Sequence, residues 1–194
     1  MILFASTNQG KLREVKELAS KFSLTVLGLA DVTGSTPCAP EVEENGQTYQ
    51  ANALLKAEAY FAWSGIPTLA DDTGLEVHAL AGAPGVHSAR YAGPAATGEQ
   101  NKKLLLETMC GIAERSALFV CELVLILEPG KMYFARGELE GEIAQSEIGG
   151  GGFGYDGIFR LPELSCTLAE AKEGARAVKT HREHAFEKLF LQIL

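Results

Sequence analysis

Apolar positions along the chain change their spacing in a readable way. Ile2–Ala5 is a short continuous apolar run and reads as a buried strand. Leu12, Val15, Leu18, Ala19 and Phe22 then recur at helical spacing, with Arg13, Glu14, Lys16 and Glu17 between them. Asn8 is placed to cap that helix. Leu24–Leu27 predicts a second strand. Ala30–Thr48, with Pro37, Pro40 and the acidic residues Glu41, Glu43 and Glu44, predicts a long loop. Tyr49–Trp63 is rich in Ala and Leu and predicts a helix ending near Gly65. Pro67–Ala70 predicts a short strand running into Asp71-Asp72-Thr73-Gly74, after which Leu75–Leu80 alternates in part and is expected to pair beside it. Gly82–Gly98 reads as loop and Glu99–Cys110 as helix. Ala117–Leu127 is almost unbroken apolar sequence and predicts a central strand buried on both faces. Met132–Ile143 alternates, with Arg136, Glu138, Glu140 and Glu142 outward, and predicts the return arm of a long hairpin. Ala185, Phe186, Leu189, Phe190, Ile193 and Leu194 mark a last helix.

Early strand–helix alternation followed by a hairpin indicates an α/β fold with a mixed sheet. With 194 residues and no clean linker, residues 1–194 read as a single domain, with room for two lobes and a cleft. Hydrophobic residues make up 46%, enough for a substantial core. Acidic residues outnumber basic ones, 25 to 17, for a net charge of −8. That balance argues against a nucleic-acid polymer or an anionic membrane as partner. No stretch reaches the ~18 apolar residues of a membrane span. Met1–Ala5 is too short for an export signal, so Cys38, Cys110, Cys121 and Cys166 are expected to be reduced and buried as small hydrophobes. Their wide spacing excludes Cys-x-x-Cys chemistry.

Four stretches carry candidate chemistry. Gly149–Gly152 lacks any Cβ and is followed by Phe153, Gly154, Tyr155 and Asp156. An aromatic face beside a carboxylate acceptor suits a flat heterocycle with a polar edge; a flexible turn with core aromatics is the plainer alternative. Ser6, Thr7, Asn8, Gln9, Gly10 and Lys11 lie between a strand and a helix, where free N–H groups and the dipole favour phosphate. The segment is no Walker loop, and taken alone an ordinary capped turn with a surface lysine fits it better. Asp71 and Asp72 point opposite ways along an extended backbone, so at most one need face a site. Such a carboxylate can hold Mg²⁺ through oxygen or take a proton from water, with Glu43 or Glu44 completing a metal site; a turn is the alternative. Arg176, Lys179, His181 and Arg182, with Lys172 just upstream, form a basic cluster suited to phosphate or a purine edge, or a solvated face.

Taken in order, Ser6–Lys11, Glu44-Asn45-Gly46, Asn52-Ala53, Ala70–Leu75, Ser88–Tyr91, Gly152–Asp156 and His181-Arg182 resemble the inosine triphosphate pyrophosphatases nearly end to end. The resemblance implies an elongated α/β fold with a mixed central sheet flanked by helices and two lobes around a nucleotide-binding cleft. It implies a cytoplasmic, Mg²⁺-dependent homodimer that hydrolyses purine triphosphates such as ITP, dITP and XTP to the monophosphate and pyrophosphate. Ser6, Thr7, Asn8, Gln9, Gly10 and Lys11 would then line the triphosphate, and Thr73 would touch substrate. Glu44 and Asp72 would hold the metal, with Asp72 also the base for the attacking water. Phe153, Gly154, Tyr155 and Asp156 would hold base and sugar, and His181 and Arg182 would read the base, Arg182 donating to O6 and Asp156 accepting from N1–H. Arg176 stands where the family usually has lysine, Thr180 where it has serine, and Thr7 where glycine is frequent. Lys11 and Arg176 would stabilise charge on the leaving pyrophosphate. Guanine shares O6 and N1–H with hypoxanthine, so its exclusion rests on the 2-amino group.

Overall fold

The computed structural model describes residues 1–32 and 38–193. Pro37 and Leu194, placed above in the long loop and the last helix, lie outside the described residues. In chain order the elements are β1 (Ile2–Phe4), α1 (Gln9–Ser20), β2 (Val26–Leu27), α2 (Tyr49–Ser64), β3 (Thr68–Val77), β4 (Pro84–Gly85), α3 (Gly98–Thr108), β5 (Ser116–Glu128), β6 (Lys131–Ile143), β7 (Phe159–Leu161), β8 (Cys166–Thr167), α4 (Leu168–Glu173) and α5 (His181–Phe190). The sheet order is β2-β1-β3-β5-β6-β7-β8, with β4 on β3. This is the mixed α/β sheet flanked by helices that was expected.

The chain forms two compact units. The first comprises Met1–Asp72, Cys121–Gly137 and Arg182–Leu194. In it β1 pairs in parallel with both β2 and β3, with Leu3 opposite Leu27 and Thr68. Alternation sorts the side chains. Ile2 and Phe4 join Val15, Cys121, Leu123, Leu125, Phe186 and Leu189. Leu3 and Ala5 join Ala53, Ala57, Val124 and Ile126. Two clusters served by alternate residues of the same strands explain why β5 reads as continuous hydrophobic sequence. Asn8 caps α1 by accepting from the Lys11 N–H at 3.1 Å. Thr48 caps α2, and Gly65 ends it in the left-handed conformation.

The second unit comprises Thr73–Val120 and Glu138–His181. Here β6, β7 and β8 form an antiparallel meander, with Glu142 opposite Arg160 and Leu161 opposite Cys166. Its core gathers Leu75, Val77, Leu105, Met109, Tyr155, Ile158, Phe159, Leu168 and Ala171.

Two expectations are corrected. Pro67–Ala70 and Leu75–Leu80 are not two strands side by side, and the turn alternative at Asp71–Gly74 falls with them: β3 runs unbroken from Thr68 to Val77, so both aspartates are mid-strand. Tertiary partners satisfy the polar side chains that suggested a turn. Of the four free cysteines, only Cys121 and Cys166 are buried; Cys38 and Cys110 are exposed.

Candidate active site

Strand β3 sends Asp71 and Asp72 to opposite faces because side chains alternate along an extended backbone. The two carboxyls meet different surroundings within the first unit. Asp71 is fully buried. Its Oδ2 lies 3.0 Å from Lys11 Nζ and accepts from Arg182 Nη2 at 3.2 Å and Nε at 3.3 Å. Arg182 also donates to Glu14. Burial acts to raise the Asp71 carboxyl, but Lys11, Arg182 and Lys56 outweigh it and hold the group well below the usual carboxylate range. Burial likewise opposes the Arg182 charge, and Asp71 and Glu14 overcome it. The result is a largely buried charge network in which every cation has an oxygen and Lys11 and Glu14 reach the surface.

Asp72 is 8% exposed. Its Oδ2 accepts from Asn52 Nδ2 at 3.0 Å, and its Oδ1 is 3.8 Å from Lys56 Nζ. Asn52 Oδ1 in turn accepts from the Gly46 N–H at 2.8 Å, which fixes the amide orientation. A Cβ on Gly46 would stand 2.7 Å from that oxygen, so the close approach needs glycine. Lys56 also binds Glu44 Oε2 at 2.8 Å. Burial raises the Asp72 carboxyl above its ordinary value despite Lys56, Lys11 and Asn52, with Glu44 adding to the rise. For Lys56 burial works against the charge, and Asp71, Asp72 and Glu44 together keep the ammonium above its ordinary range.

Glu44 and Asp72 are thus two hard oxygen donors drawn to one cation. That donor set fits Mg²⁺, which takes one or two carboxylates and fills its other positions with water and phosphate oxygens. Among the described residues no group of three or more His, Cys, Asp or Glu gathers as a metal site.

In the second unit, Gly149–Gly152 packs on α4. A Cβ on Gly149 would lie 2.8 Å from the Glu170 amide nitrogen, and one on Gly151 would overlap the Ala169 carbonyl oxygen. On Gly152 it would overlap Asp156 Oδ2. That oxygen accepts from the Phe153 N–H at 2.9 Å and from Lys172 Nζ at 2.9 Å. The Lys172 ammonium also lies 5.4 Å from the Phe153 ring centroid. Tyr155 is buried and donates to the Ser88 carbonyl at 2.8 Å, whereas Phe153 is half-buried. Ser88 ties down β3 by accepting from the Leu75 N–H.

The sequence model of the Ham1 family matches residues 2–192. The chain belongs to the Ham1 family. A dITP/XTP pyrophosphatase of an Exiguobacterium species is 44% identical over 193 residues, covering 100% of this chain and 96% of its own length. The Ham1 protein of Staphylococcus aureus superposes with a TM-score of 0.83 at 37% identity, over 98% of this chain and 97% of its own. A Ham1 protein from Coxiella burnetii gives 0.85 at 36% identity, over 99% and 97%. The likeness to inosine triphosphate pyrophosphatases inferred from the motifs is borne out by these relatives.

Within this Ham1 chain, the first unit brings together Lys11, Glu44, Asp71, Asp72 and Arg182. Ser6 accepts from the Asn8 N–H, and Thr7, Asn8 and Gln9 are exposed around the start of α1, with Gly10 half-buried. Thr73 is half-buried in β3. The basic cluster does not exist as a patch. Arg182 is buried in ion pairs, and His181 is buried with its ring stacked on Phe119, centroids 4.7 Å apart. Lys179 is exposed, and Arg176 is exposed with its Nη1 3.4 Å from the Leu164 carbonyl. Arg176 and Lys179 precede α5, on the irregular segment after α4, so of the cluster only His181 and Arg182 are carried by that helix. Lys56 and Glu14 were missed. A lone lysine in an Ala-rich helix reads as solvated, yet Lys56 is one turn after Asn52, and that i,i+4 spacing was the available signal.

Proposed function

We propose that this chain hydrolyses noncanonical purine nucleoside triphosphates (ITP, dITP and XTP) between the α and β phosphates, releasing the monophosphate and pyrophosphate, with Mg²⁺ as cofactor. The enzyme is a hydrolase of phosphoanhydride bonds, the class its curated relatives carry in their name. One observation carries the mechanism: Asp72 is a buried carboxyl raised above its ordinary value, oriented by Asn52, with Glu44 drawn to the same ammonium. A raised carboxylate is a better proton acceptor for an attacking water than an exposed one.

Each group then has a part. Glu44 and Asp72 would hold Mg²⁺. When bound, the ion neutralises phosphate oxygens and lowers the pKa of a coordinated water. Asp72 takes the proton of the attacking water. Ser6, Thr7, Asn8, Gln9 and Gly10 present hydroxyl, amide and first-turn N–H groups of α1 to phosphate. Lys11, with its ammonium fixed by Asp71, adds the positive charge, and Thr73 contacts substrate. Arg176 retains the phosphate role that the resemblance gives it. Arg182 takes a different part from that expected: it holds Asp71 ionised, and through it Lys11, as a positioning residue. In the second unit Phe153 stacks on the base, Gly154 and Tyr155 shape the loop, and Asp156 accepts from N1–H. His181 packs beside Phe119 as support.

Hypoxanthine and xanthine present N1–H to Asp156, whereas adenine presents a bare N1 acceptor. A buried mismatch of that sense discriminates by roughly 10⁴-fold. A homodimeric state and a cytoplasmic location belong to the proposal on the resemblance alone. No helix among the described residues is long and apolar enough to cross a membrane.

The test is pyrophosphate release from ITP, XTP, dITP, ATP and GTP, with Mg²⁺ and with EDTA. ITP and XTP should be turned over far faster than ATP and GTP, and EDTA should stop the reaction. Equal turnover of all five, or release of orthophosphate instead, would refute the reading.

A further inference from the structure

The two carboxylates assigned to Mg²⁺ stand on unlike supports. Asp72 belongs to strand β3, whereas Glu44 lies within residues 38–48, which form neither helix nor strand. A segment without ladder hydrogen bonds needs other contacts to keep a side chain in place. We infer that Asn52 supplies them as a positioning residue, fixing Glu44 and Asp72 relative to each other as a preformed pair. The inference rests on the metal assignment of the pyrophosphatase reading above and deepens it.

The Asn52 side chain is fully buried and engaged at both ends. Its Nδ2 donates to Asp72 Oδ2 at 3.0 Å. Its Oδ1 accepts at 2.8 Å from the N–H of Gly46, two residues beyond Glu44. A flipped amide would set its NH₂ against an N–H and its carbonyl against a carboxylate, so only one orientation serves both partners. The first turn of α2 holds the residue itself. Its N–H donates to the Thr48 carbonyl at 3.1 Å, and Thr48 Oγ1 accepts from the Ala51 N–H at 3.1 Å. On the loop side, Gly46 is pressed against the same turn. A Cβ there would stand 2.7 Å from Asn52 Oδ1 and 2.9 Å from Ala51 Cβ.

Lys56, one helical turn later, also spans the carboxylates, 2.8 Å from Glu44 Oε2 and 3.8 Å from Asp72 Oδ1. Its ammonium cannot keep that part beside a divalent ion, because two cations repel and draw on the same oxygens. The Asn52 amide carries no net charge, so a cation does not oppose it. It takes one of the roughly four lone-pair sites of the Asp72 carboxylate. On the loop it binds backbone, not the Glu44 carboxylate.

The experiment measures Mn²⁺ binding to the substrate-free protein by electron paramagnetic resonance. It also measures the Mg²⁺ concentration that half-saturates pyrophosphate release from ITP. The variants are Asn52→Ala, Gly46→Ala, the two combined, and Thr48→Ala. Groups that orient metal ligands are worth roughly 10- to 100-fold in metal affinity, and Asn52→Ala should weaken Mn²⁺ binding by about that factor. The half-saturating Mg²⁺ should rise in step, with a smaller fall in kcat at saturating Mg²⁺. Gly46→Ala should shift both the same way, because its Cβ displaces the Asn52 carbonyl. The double variant should lie within about threefold of Asn52→Ala, since the atom that the new Cβ would strike is gone. Thr48→Ala removes a cap from the same helix and leaves the amide, so it should lower the melting temperature without changing Mn²⁺ affinity. Unchanged Mn²⁺ affinity in Asn52→Ala overturns the inference. The same result in Gly46→Ala does so even where Asn52→Ala fails to fold. An equal loss in Thr48→Ala, which marks the effect as helix stability, also overturns it, as does a double variant in which the two single losses multiply. A wild type that binds no Mn²⁺ before substrate arrives has no preformed pair and overturns it too. Each of these leaves the pyrophosphatase reading intact where ITP is still cleaved. A wild type that binds Mn²⁺ as expected yet releases no pyrophosphate from ITP overturns that reading instead.

Discussion

Replacing Arg182 with methionine separates a structural arginine from a base-reading one. Arg182 is 1% exposed and Asp71 fully buried. The guanidinium makes two bonds to Asp71, at 3.2 and 3.3 Å, and one to Glu14. Breaking a buried pair by deleting one partner costs about 3–5 kcal/mol, because a charge is left uncompensated. Lys11 remains 3.0 Å from Asp71 and carries part of that charge. Methionine fills some of the vacated volume beside the apolar face of α5. The loss should therefore sit at the low end, about 3 kcal/mol, which lowers the melting temperature by about 6–12 °C in a chain of this size. Urea unfolding followed by the fluorescence of Trp63 reads the cost. Adding Asp71→Asn should recover a good part of it, because the orphaned charge is then gone. Kinetically, ITP and ATP turnover should fall together, since Lys11 loses its anchor. The reasoning fails if Arg182→Met is as stable as the parent within about 0.5 kcal/mol and loses ITP turnover alone. In that case Arg182 reads the base after all.

Two further outcomes are expected. Asp72→Asn should lower pyrophosphate release by about 10²- to 10⁴-fold, with a melting temperature equal to or above the parent's, because burial already disfavours the charged form there; near-normal turnover would remove Asp72 from its role. Gly152→Ala should destabilise by about 1–3 kcal/mol and raise KM for ITP, since its φ of +80° is strained for alanine and its Cβ would displace Asp156. Gly154→Ala, at φ +63° with nothing within 4 Å, should cost only about 1 kcal/mol of backbone strain, so equal effects at the two glycines would refute the crowding argument.

Much of the fold was legible because its signals are local. Asn8, Thr48 and Gly65 mark helix ends by capping chemistry that depends on a few neighbouring residues. The hydrophobicity of β5 records burial on both faces. The failures share a cause, which is that distant partners decided the outcome. Asp71-Asp72-Thr73-Gly74 has the composition of a turn and is the middle of a strand. Lys11, Arg182, Asn52 and Lys56, from three other elements, satisfy its carboxyls. The cations near α5 look like a patch in one dimension, but Arg182 is drawn into buried ion pairs with Asp71 and Glu14, while Arg176 and Lys179 precede the helix and stay exposed. The glycine run was expected to let something approach closely. It does, and what approaches is the backbone of α4.

The paired aspartates also show why adjacency in sequence is not equivalence in chemistry. One residue of offset in a strand moves a side chain to the other face. Asp71 thereby meets Lys11 and Arg182 and is held ionised, whereas Asp72 meets an amide, one ammonium at 3.8 Å and a second carboxylate, and is pushed the other way. Environments that drive two neighbouring carboxyls apart assign them different tasks. Permanent charge suits Asp71 to fixing Lys11, because a group that never takes a proton under ordinary conditions cannot serve as the base. Asp72, with the raised carboxyl and the Asn52 hydrogen bond that aims it, is the one of the two that can. Lys56 couples them: it is the common counter-ion whose field reaches both aspartates and Glu44. Its neutralisation would strengthen the repulsion between Glu44 and Asp72, the same repulsion that a divalent cation relieves.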